Sequence, residues 1–591
     1  MKLKKLDSRH ACPTGSTGST VPTGRSRAVA ALLSASAALA FSGAAFAASK
    51  TYTFDADFDL GALSGVNHSV SNQLQLSAVG TTFPVMWIAN AGEDTVTKFD
   101  TVANVELARY RTWFGPSGQA GYVNHLNNAY AGAAPSRTAV DLNGNAYVLN
   151  RWFDNRKPVL LKILTEGFID RNGNGVLDTS TGPTPLAMAD TNGNGEIDPS
   201  EITDERIAFA VTVGPNNGLG RALCIGTDGN LWVGMYNTRE YYKISSADGH
   251  QMAGPVSVPW TPYGCLIDRN GVLWSASLSG TLGKVTNTAS DTGPYAVSSF
   301  NGSVNYGIAL GNDKVYLGIS NQVFDPATNT FSSSGIGVSS VGITVDGSGN
   351  VIAGQSTIQK VSPTGAVLWT ANQQAGGTGS RGIQVDADNN VWNIGFASTG
   401  KMQKFRGTDG SPLGVFDVGN YPYTYSDASG FAARNVTSPT GTWTVTYDAS
   451  ANGTAWGKIN WTDLVPAGTN VQVQARAADS AAGLALQVYQ PVSKNVNFAA
   501  SGRYIQVLTR LNASAAGTTP VVFDLTVSSK TTSCDVDGDG DVDTADLALI
   551  RTAIGQTPTA NDPRDANGDG KITINDVRAC ALQCTRAGCA Q

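Results

Sequence analysis

Two twelve-residue stretches near the C-terminus carry oxygen side chains at the spacing a hard cation requires. In CDVDGDGDVDTAD, Asp535, Asp537, Asp539, Asp541, Asp543 and Asp546 fill positions 1, 3, 5, 7, 9 and 12. In DANGDGKITIND the same positions hold Asp565, Asn567, Asp569, Lys571, Thr573 and Asp576, with Lys571 offering its backbone carbonyl. Both have Gly at position 6, for the sharp turn, and an apolar residue at position 8, Val542 or Ile572. This is the register of a calcium loop of the EF-hand kind. Six carboxylates in twelve residues repel one another unless a cation sits among them. A plain acidic turn would not keep the full register twice.

Two further stretches speak the same grammar. DTNGNGEIDPSE places Asp190, Asn192, Asn194, Glu196 (carbonyl), Asp198 and Glu201 in the six ligand positions. DRNGNGVLD places Asp170, Asn172, Asn174, Val176 (carbonyl) and Asp178, but Thr181 stands at position 12. Lacking the bidentate acid, this loop is expected to bind more weakly unless a ligand comes from elsewhere. Asn at positions 3 and 5 lowers the charge, which suits structural sites in millimolar extracellular calcium. The competing reading is a pair of Asn-Gly turns in an insertion.

The C-terminal pair, with Asp at position 12 and loop starts 30 residues apart, resembles a dockerin. The resemblance implies a small calcium module that plugs enzymes or binding proteins into a scaffold through a cohesin-like partner. In dockerins positions 10 and 11 face that partner; here they are Thr544-Ala545 and Ile574-Asn575. The pairs differ, so two equivalent binding orientations are not expected. An apolar helix face should follow each loop, from Leu547, Leu549 and Ile550, then from Val577 and Leu582. The Cys residues that flank the loops depart from the dockerin pattern.

These sites must be carried by a chain of 591 residues, too long for one core. It has 67 Gly and only 15% charged residues, a composition that favours short strands and tight turns. The N-terminus reads as a secretory signal over 1–47: a basic leader, an apolar stretch at 28–41 and Ala45-Phe46-Ala47 as a cleavage site. Removing it leaves 34 basic and 45 acidic residues, a formal charge of −11. An acidic exported protein is a poor partner for nucleic acid or an anionic membrane. No second apolar run has the length of a membrane span.

Of seven Cys, Cys12 leaves with the leader, and six remain in an oxidising compartment. Cys534, Cys580, Cys584 and Cys589 bracket the calcium module and are expected to form two disulfides. A zinc site is the runner-up, disfavoured by C-x3-C and C-x4-C spacing. Cys224 and Cys265 occupy nearly equivalent places in adjacent repeats and either pair or stand as two buried thiols.

Those repeats fill the middle of the chain. An apolar strand, an Asp/Gly/Asn turn and an aromatic-led strand recur as TAVDLNGNAYVLN, ALCIGTDGNLWVGM, GCLIDRNGVLWSAS, GIALGNDKVYLGI, GITVDGSGNVIAG and GIQVDADNNVWNIG. An earlier copy is reduced to MWIAN, and several copies continue into a third strand ending in Lys and an apolar residue. The anchors are Trp87, Tyr147, Trp232, Trp274, Tyr316, Ile352 and Trp392, spaced 60, 85, 42, 42, 36 and 40. A period near 40 with hairpin turns predicts a seven-bladed β-propeller whose anchors pack between blades. The long gap holds the inserted loops. The phrase resembles NHL and streptogramin-lyase (virginiamycin B lyase) propellers. Those lyases use His and Glu with magnesium and often read W-F-T-E after the turn. Here the positions read WVGM, WSAS and WNIG, and His68, His125 and His250 lie outside the phrases. No complete G-x-S-x-G, H-E-x-x-H or C-x-x-C occurs.

Arg137, Arg221, Tyr263, Tyr306 and Arg381 stand just before the inner strands, near one mouth of the expected channel. They either grip an acidic or sugar ligand, or cap strand carbonyls and pack between blades. Tyr421–Gly430 breaks the repeat and is expected to close the last blade. Strands expected at 442–448, 456–461, 470–477, 484–490, 503–511 and 521–527 suit a β-sandwich. Trp443, Val445 and Tyr447 share a core face. Trp456 has the parity of Lys458 and Asn460, a polar face from which a Trp could stack on sugar.

The resulting plan is mainly β: signal peptide 1–47, a β arm 48–83, the propeller 84–430 with its calcium-loop insert at 165–205, a sandwich 431–529, and a dockerin-like α-helical module 530–591. The expected function is a secreted calcium-binding scaffold protein docked through its C-terminus, in polysaccharide-related assemblies, with a carbohydrate or cell-surface ligand on the ring. The alternative is a carbohydrate-active or virginiamycin B lyase-like enzyme tethered by the same tail.

Overall fold

The structure, a computed structural model, describes residues 48–114, 127–530, 534–537, 539, 541–558, 562–566 and 570–590. The signal segment, His125, Asn567 and Asp569 lie outside the described residues. No described helix is long and apolar enough to cross a membrane.

The repeat phrase builds small antiparallel sheets, because each Asp-led turn is a hairpin and each flanking run is buried on both faces. Among the described residues there are six four-stranded sheets and one three-stranded sheet. The three-stranded sheet comprises Val85–Asn90, Thr95–Asp100 and Val105–Arg111. The four-stranded ones begin with Pro135–Val140, Gly220–Ile225, Gly264–Ile267, Ile308–Gly311, Gly342–Val345 and Ser380–Val385. All seven anchors are buried, and each packs in a core shared by neighbouring sheets.

The phrase explains itself locally. The turn Asp accepts backbone N–H groups two and four residues on: Asp268 takes Asn270 N (2.9 Å) and Val272 N (3.0 Å), and its other oxygen takes Trp274 Nε1 (3.0 Å). Asp386 and Trp392 repeat this at 2.9 Å. The third-strand Lys staples one sheet to the next: Lys162 Nζ donates to Ser246 O at 2.8 Å, Lys360 Nζ to Gly407 O at 2.8 Å and Lys404 Nζ to Thr101 O at 2.7 Å. The last of these joins the seventh sheet to the first.

Ring closure differs from the expectation in detail. Residues 421–428 pair with the first sheet, not the last, and supply its missing inner edge. Tyr423 N donates to Ala89 O (2.8 Å) and Trp87 N to Ala428 O (2.9 Å). The reduced first copy is short because its inner strand comes from the far end of the ring.

Two sheets form the sandwich. One contains Ser49–Tyr52, Leu74–Leu76, Val521–Ser529 and Ala455–Leu464; the other contains Ala62–Ser64, Thr440–Asp448, Tyr504–Asn512 and Asn470–Ala478. The segment expected as an arm on the ring therefore completes the sandwich: Ser49 pairs with Ser528 and Leu63 with Trp443. The run expected as a strand at 484–490 is instead a helical turn, Ala482–Leu486, followed by Gln490–Val492. Leu484 is buried but Leu486 and Val488 are exposed, so the run has no continuous alternating face to bury.

Trp456 corrects the parity reading. It is 1% exposed, inside the sandwich core, with Nε1 donating to Gly502 O at 2.9 Å. The register against Val521–Ser529 shifts between Trp456 and Lys458, so Gly457 is a bulge residue and parity changes there. A Cβ on Gly457 would meet the Lys530 backbone at 2.9 Å. Buried in the core, Trp456 offers no face for a sugar to stack on.

In the C-terminal module, helices Thr544–Thr552 and Ile574–Ala581 bury Leu547, Ile550 and Val577 with Val542 and Ile572. Leu549 and Leu582 are exposed, at 41% and 89%, because the buried stripe runs through 547 and 550, and Leu582 only caps its helix. Cys534 pairs with Cys580 and Cys584 with Cys589; in the ring Cys224 pairs with Cys265.

Candidate functional site

Each loop acid at position 12 sits at the third position of a helix, where its charge is favoured by the helix N-terminus. Asp546 is fully buried. One of its oxygens accepts Val536 N (2.6 Å) and Asp537 N (3.2 Å), the other Asp543 N (2.9 Å). The carboxylate thus bridges loop positions 2 and 9. Around it, oxygens of Asp535, Asp537 and Asp539, and of Asp539, Asp541 and Asp546, lie within 4.8 Å of one another. Burial, then the neighbouring carboxylates, hold Asp537 and Asp541 above the usual carboxylate range. Oδ1 of Asp541 is buried without a hydrogen-bond partner, while Oδ2 pairs with Arg586 at 3.2 Å. An all-oxygen donor set with an orphaned oxygen fits a hard cation of the calcium type.

The second loop keeps the same device. Asp576 is buried and accepts Thr573 N at 2.7 Å, and Asp565 accepts Gly570 N at 2.9 Å. Lys571 is exposed at position 7.

In the insert, Glu201 bridges positions 2 and 9 of its loop. Its Oε1 accepts Thr191 N (2.6 Å) and its Oε2 accepts Asp198 N (2.9 Å). Backbone hydrogen bonding at Asp198 and the Thr191 hydroxyl hold its carboxyl down at about 2. Asp190 gathers Gly193, Asn194 and Gly195 amides, while Asn192 and Asn194 donate to Asp198 at 2.9 Å. Glu196 is partly exposed at position 7.

The loop at 170–178 is built identically, although its own position 12 is Thr181. Asp170 gathers Gly173, Asn174 and Gly175 amides, and Asn172 and Asn174 donate to Asp178. The bridging carboxylate is Glu205. Its Oε1 accepts Arg171 N (2.9 Å) and its Oε2 accepts Asp178 N (2.8 Å), again positions 2 and 9. Glu205 is fully buried, and its own N–H donates to Asp178 O at 2.9 Å. Val176 stays exposed at position 7. Sequence spacing missed Glu205 because it arrives 35 positions after Asp170 through the chain's return into strand Ile207–Thr212. The signal that could have found it is the acidic pair Asp204-Glu205 just before a buried strand.

At the channel mouth the structure brings Arg137, Arg221, Tyr263 and Tyr306 together and leaves Arg381 at the rim. Arg221 Nη1 donates to Tyr263 Oη at 3.0 Å, and Tyr263 Oη lies 3.2 Å from Tyr423 Oη. Tyr306 and Tyr423 hydroxyls are hydrogen bonded. Arg381 lies 5.8 Å from the Tyr306 ring centroid and 5.0 Å from that of Phe396. Sequence reasoning missed Arg151, Tyr423 and Tyr425. The alternation in YPYTYSD marks one aromatic face of a strand and was the available signal.

Burial pushes Arg137 down to about 9 and Arg151 down to about 10, with Arg221 adding repulsion in both cases. For Tyr423 burial raises the phenol, but Arg151, Arg221 and hydrogen bonds from Tyr263 and Tyr306 outweigh it and hold it near 7. Tyr263 moves the other way, to about 12, through burial and the neighbouring Tyr423 charge. Burial and the neighbouring Tyr423 charge push the Tyr306 phenol up as well.

A folded value below the free phenol's means that the folded state loses this proton first. The stabilisation it brings is complete above pH ~10 and is lost as pH falls through the folded value near 7. Absorbance at 295 nm should show one phenolate forming near neutrality. Tyr423→Phe should abolish that step; an unchanged titration would show that Tyr423 is not the ionising group.

A family model, the dockerin type I domain, matches residues 533–579. No curated protein matches the chain. Among solved structures, selenomethionine-substituted virginiamycin B lyase from Staphylococcus aureus is 14% identical, with a TM-score of 0.37, over 54% of this chain and 94% of that one. A streptogramin B lyase structure is 12% identical, with a TM-score of 0.34, over 59% and 94%. The WD40 β-propeller domain of Doa1 is 11% identical, with a TM-score of 0.32, over 50% and 87%. At these values the structural likenesses carry no conclusion about activity.

Proposed function

We propose that this is a secreted, calcium-loaded binding protein in which a seven-bladed ring and a sandwich are tethered to a cohesin-like partner by the C-terminal module. The observation that carries this reading is the pair of pre-organised loop acids, Asp546 and Asp576, within the stretch that matches a dockerin. Calcium would be held by Asp535, Asp537, Asp539, Asp541 and Asp546 in the first loop, with Asp565, Lys571 and Asp576 in the second. It would supply the positive charge that lets those carboxylates lie together. In the insert the holders would be Asp190, Asn192, Asn194, Glu196 and Glu201, then Asp170, Asn172, Asn174, Val176 and Glu205. Ile574 (48% exposed) and Leu549 beside the loops give the module apolar contact area for a protein partner. Three disulfides support an oxidising location outside the cytoplasm.

One observation favours the enzymatic alternative: Tyr423, held near 7 among arginines, could accept a proton at the ring's mouth. The described histidines sit elsewhere, His68 against Asp59 at 2.9 Å and His250 against Asp248 at 2.6 Å. A screen against polysaccharides and streptogramin-type lactones tests that alternative, and turnover abolished by Tyr423→Phe would establish it.

The docking reading is tested by pull-down with immobilised cohesin. Full-length protein should be retained in calcium and released by EDTA. Protein lacking 534–591 should not be retained. Equal retention of both forms would remove the docking role.

A further inference from the structure

Three guanidiniums, Arg137, Arg151 and Arg221, lie under the mouth of the ring at 0%, 0% and 8% exposure. Among the described residues none of their hydrogen bonds or ion pairs goes to a carboxylate. Arg137 donates to Ser136 O at 2.9 Å and to Tyr263 O, Arg151 to Ala134 O at 2.8 Å and Ala129 O, and Arg221 to tyrosine hydroxyls. Residues 115–126, which lie outside the described set, contain no Asp or Glu either.

Capping strand carbonyls needs donors, and neutral donors would serve. It does not need three charges, each of which is costly to bury without a counter-charge. Tyr423 can neutralise one. Meanwhile Arg137 Nε, Arg151 Nη1, Arg221 Nε and Tyr425 Oη are buried without a partner. The guanidiniums are stacked on Tyr425, Tyr423 and Tyr263, at 3.3, 4.6 and 4.9 Å from the ring centroids, so their positive charge is softened by the rings but not cancelled, and it favours an anion at the mouth.

Above this floor stand flat apolar faces. Tyr130 is 49% exposed, with its ring centroid 6.1 Å from both Phe153 and Phe396. Arg381 flanks Phe396 at 5.0 Å. Rings of this kind stack on the apolar face of a pyranose, while a guanidinium fork takes a planar or tetrahedral acid group.

We propose that the ring's mouth binds an acidic saccharide, its carboxylate or sulfate drawn by the buried charges of Arg137 and Arg151 to Arg221 and Arg381, and its ring stacked on Tyr130. The site lies in the ring and stands whether or not the C-terminal module docks to a partner.

Calorimetric titration of the full-length protein tests this with three probes: oligogalacturonate, a sulfated galacto-oligosaccharide and the neutral galacto-oligosaccharide of equal length. One acidic probe should bind at least tenfold more tightly than the neutral one, and which one does so separates carboxylate from sulfate. Tyr130→Ala, at a half-exposed position that should not disturb folding, is expected to weaken that probe at least fivefold. Arg221→Gln should abolish the preference for the acidic probe. Equal binding of acidic and neutral probes, binding of none, or binding indifferent to Tyr130→Ala would overturn the proposal.

Discussion

Glu205→Ala is expected to cost the insert about 3–5 kcal/mol, while Thr181→Ala, at the loop's formal twelfth position, costs no more than ~0.5 kcal/mol. The contrast follows from what each side chain touches. Glu205 is fully buried and holds the amides of Arg171 and Asp178 at 2.9 and 2.8 Å. Hydrogen bonds to a charged acceptor contribute about 1.5–3 kcal/mol each, and both part-buried amides would lose theirs. Thr181 is exposed. Glu205→Gln keeps the shape but offers a single carbonyl oxygen, so one amide meets an NH2 group instead; its cost should be intermediate. In calcium titrations Glu205→Ala should remove one binding event and leave the Glu201 loop intact. Urea melts with and without EDTA measure both effects. Equal losses for the two alanine variants would refute the assignment of Glu205 as the twelfth ligand.

Removing calcium should have its largest structural effect on the C-terminal module, and the disulfide decides how far the effect goes. Without the cation, the clustered carboxylates of Asp535, Asp537, Asp539 and Asp541 repel with little compensation. The Cys534–Cys580 bond closes a loop of 46 residues, which by the chain-entropy relation is worth about 4 kcal/mol. EDTA alone should therefore loosen the loops while the two helices stay tethered. EDTA with reductant should unfold them. Hydrogen exchange at 544–552 and 574–581 in the full-length protein reports this directly. Full protection in EDTA plus reductant would show that neither ion nor disulfide holds the module.

Features that repeat were legible in the sequence. The loop register, the Asp-led turns and the anchor aromatics each recur, so a single chance match could not imitate them. Features that depend on one distant partner were not legible. Glu205 completes a loop begun at Asp170, and nothing in the spacing of either stretch points to the other. Trp456 reads as solvent-facing until the bulge at Gly457 is known, because one extra residue inverts parity. The N-terminal strands look like a free arm because their partner, Val521–Ser529, lies more than 400 residues away. At the mouth, Arg137 and Arg221 could be placed by their nearness to inner strands, which the structure starts slightly earlier, at Pro135 and Gly220, whereas Tyr423 arrives only through the ring's closing segment.

That pairing of the N-terminal strands with the last sandwich strand makes the ring an insertion within the sandwich. Ala48 and Ser529 exchange hydrogen bonds at 2.7 and 2.8 Å, and Ser49–Tyr52 runs antiparallel to Val521–Ser529. The tail that would dock leaves from the end of that strand. Tension on the tether therefore enters a strand clasped on one side by Ser49–Tyr52 and on the other by Ala455–Leu464. It loads their hydrogen bonds in parallel, in shear. A load between a ligand held at the mouth and a partner held by the tail would cross the sandwich on its way to the ring.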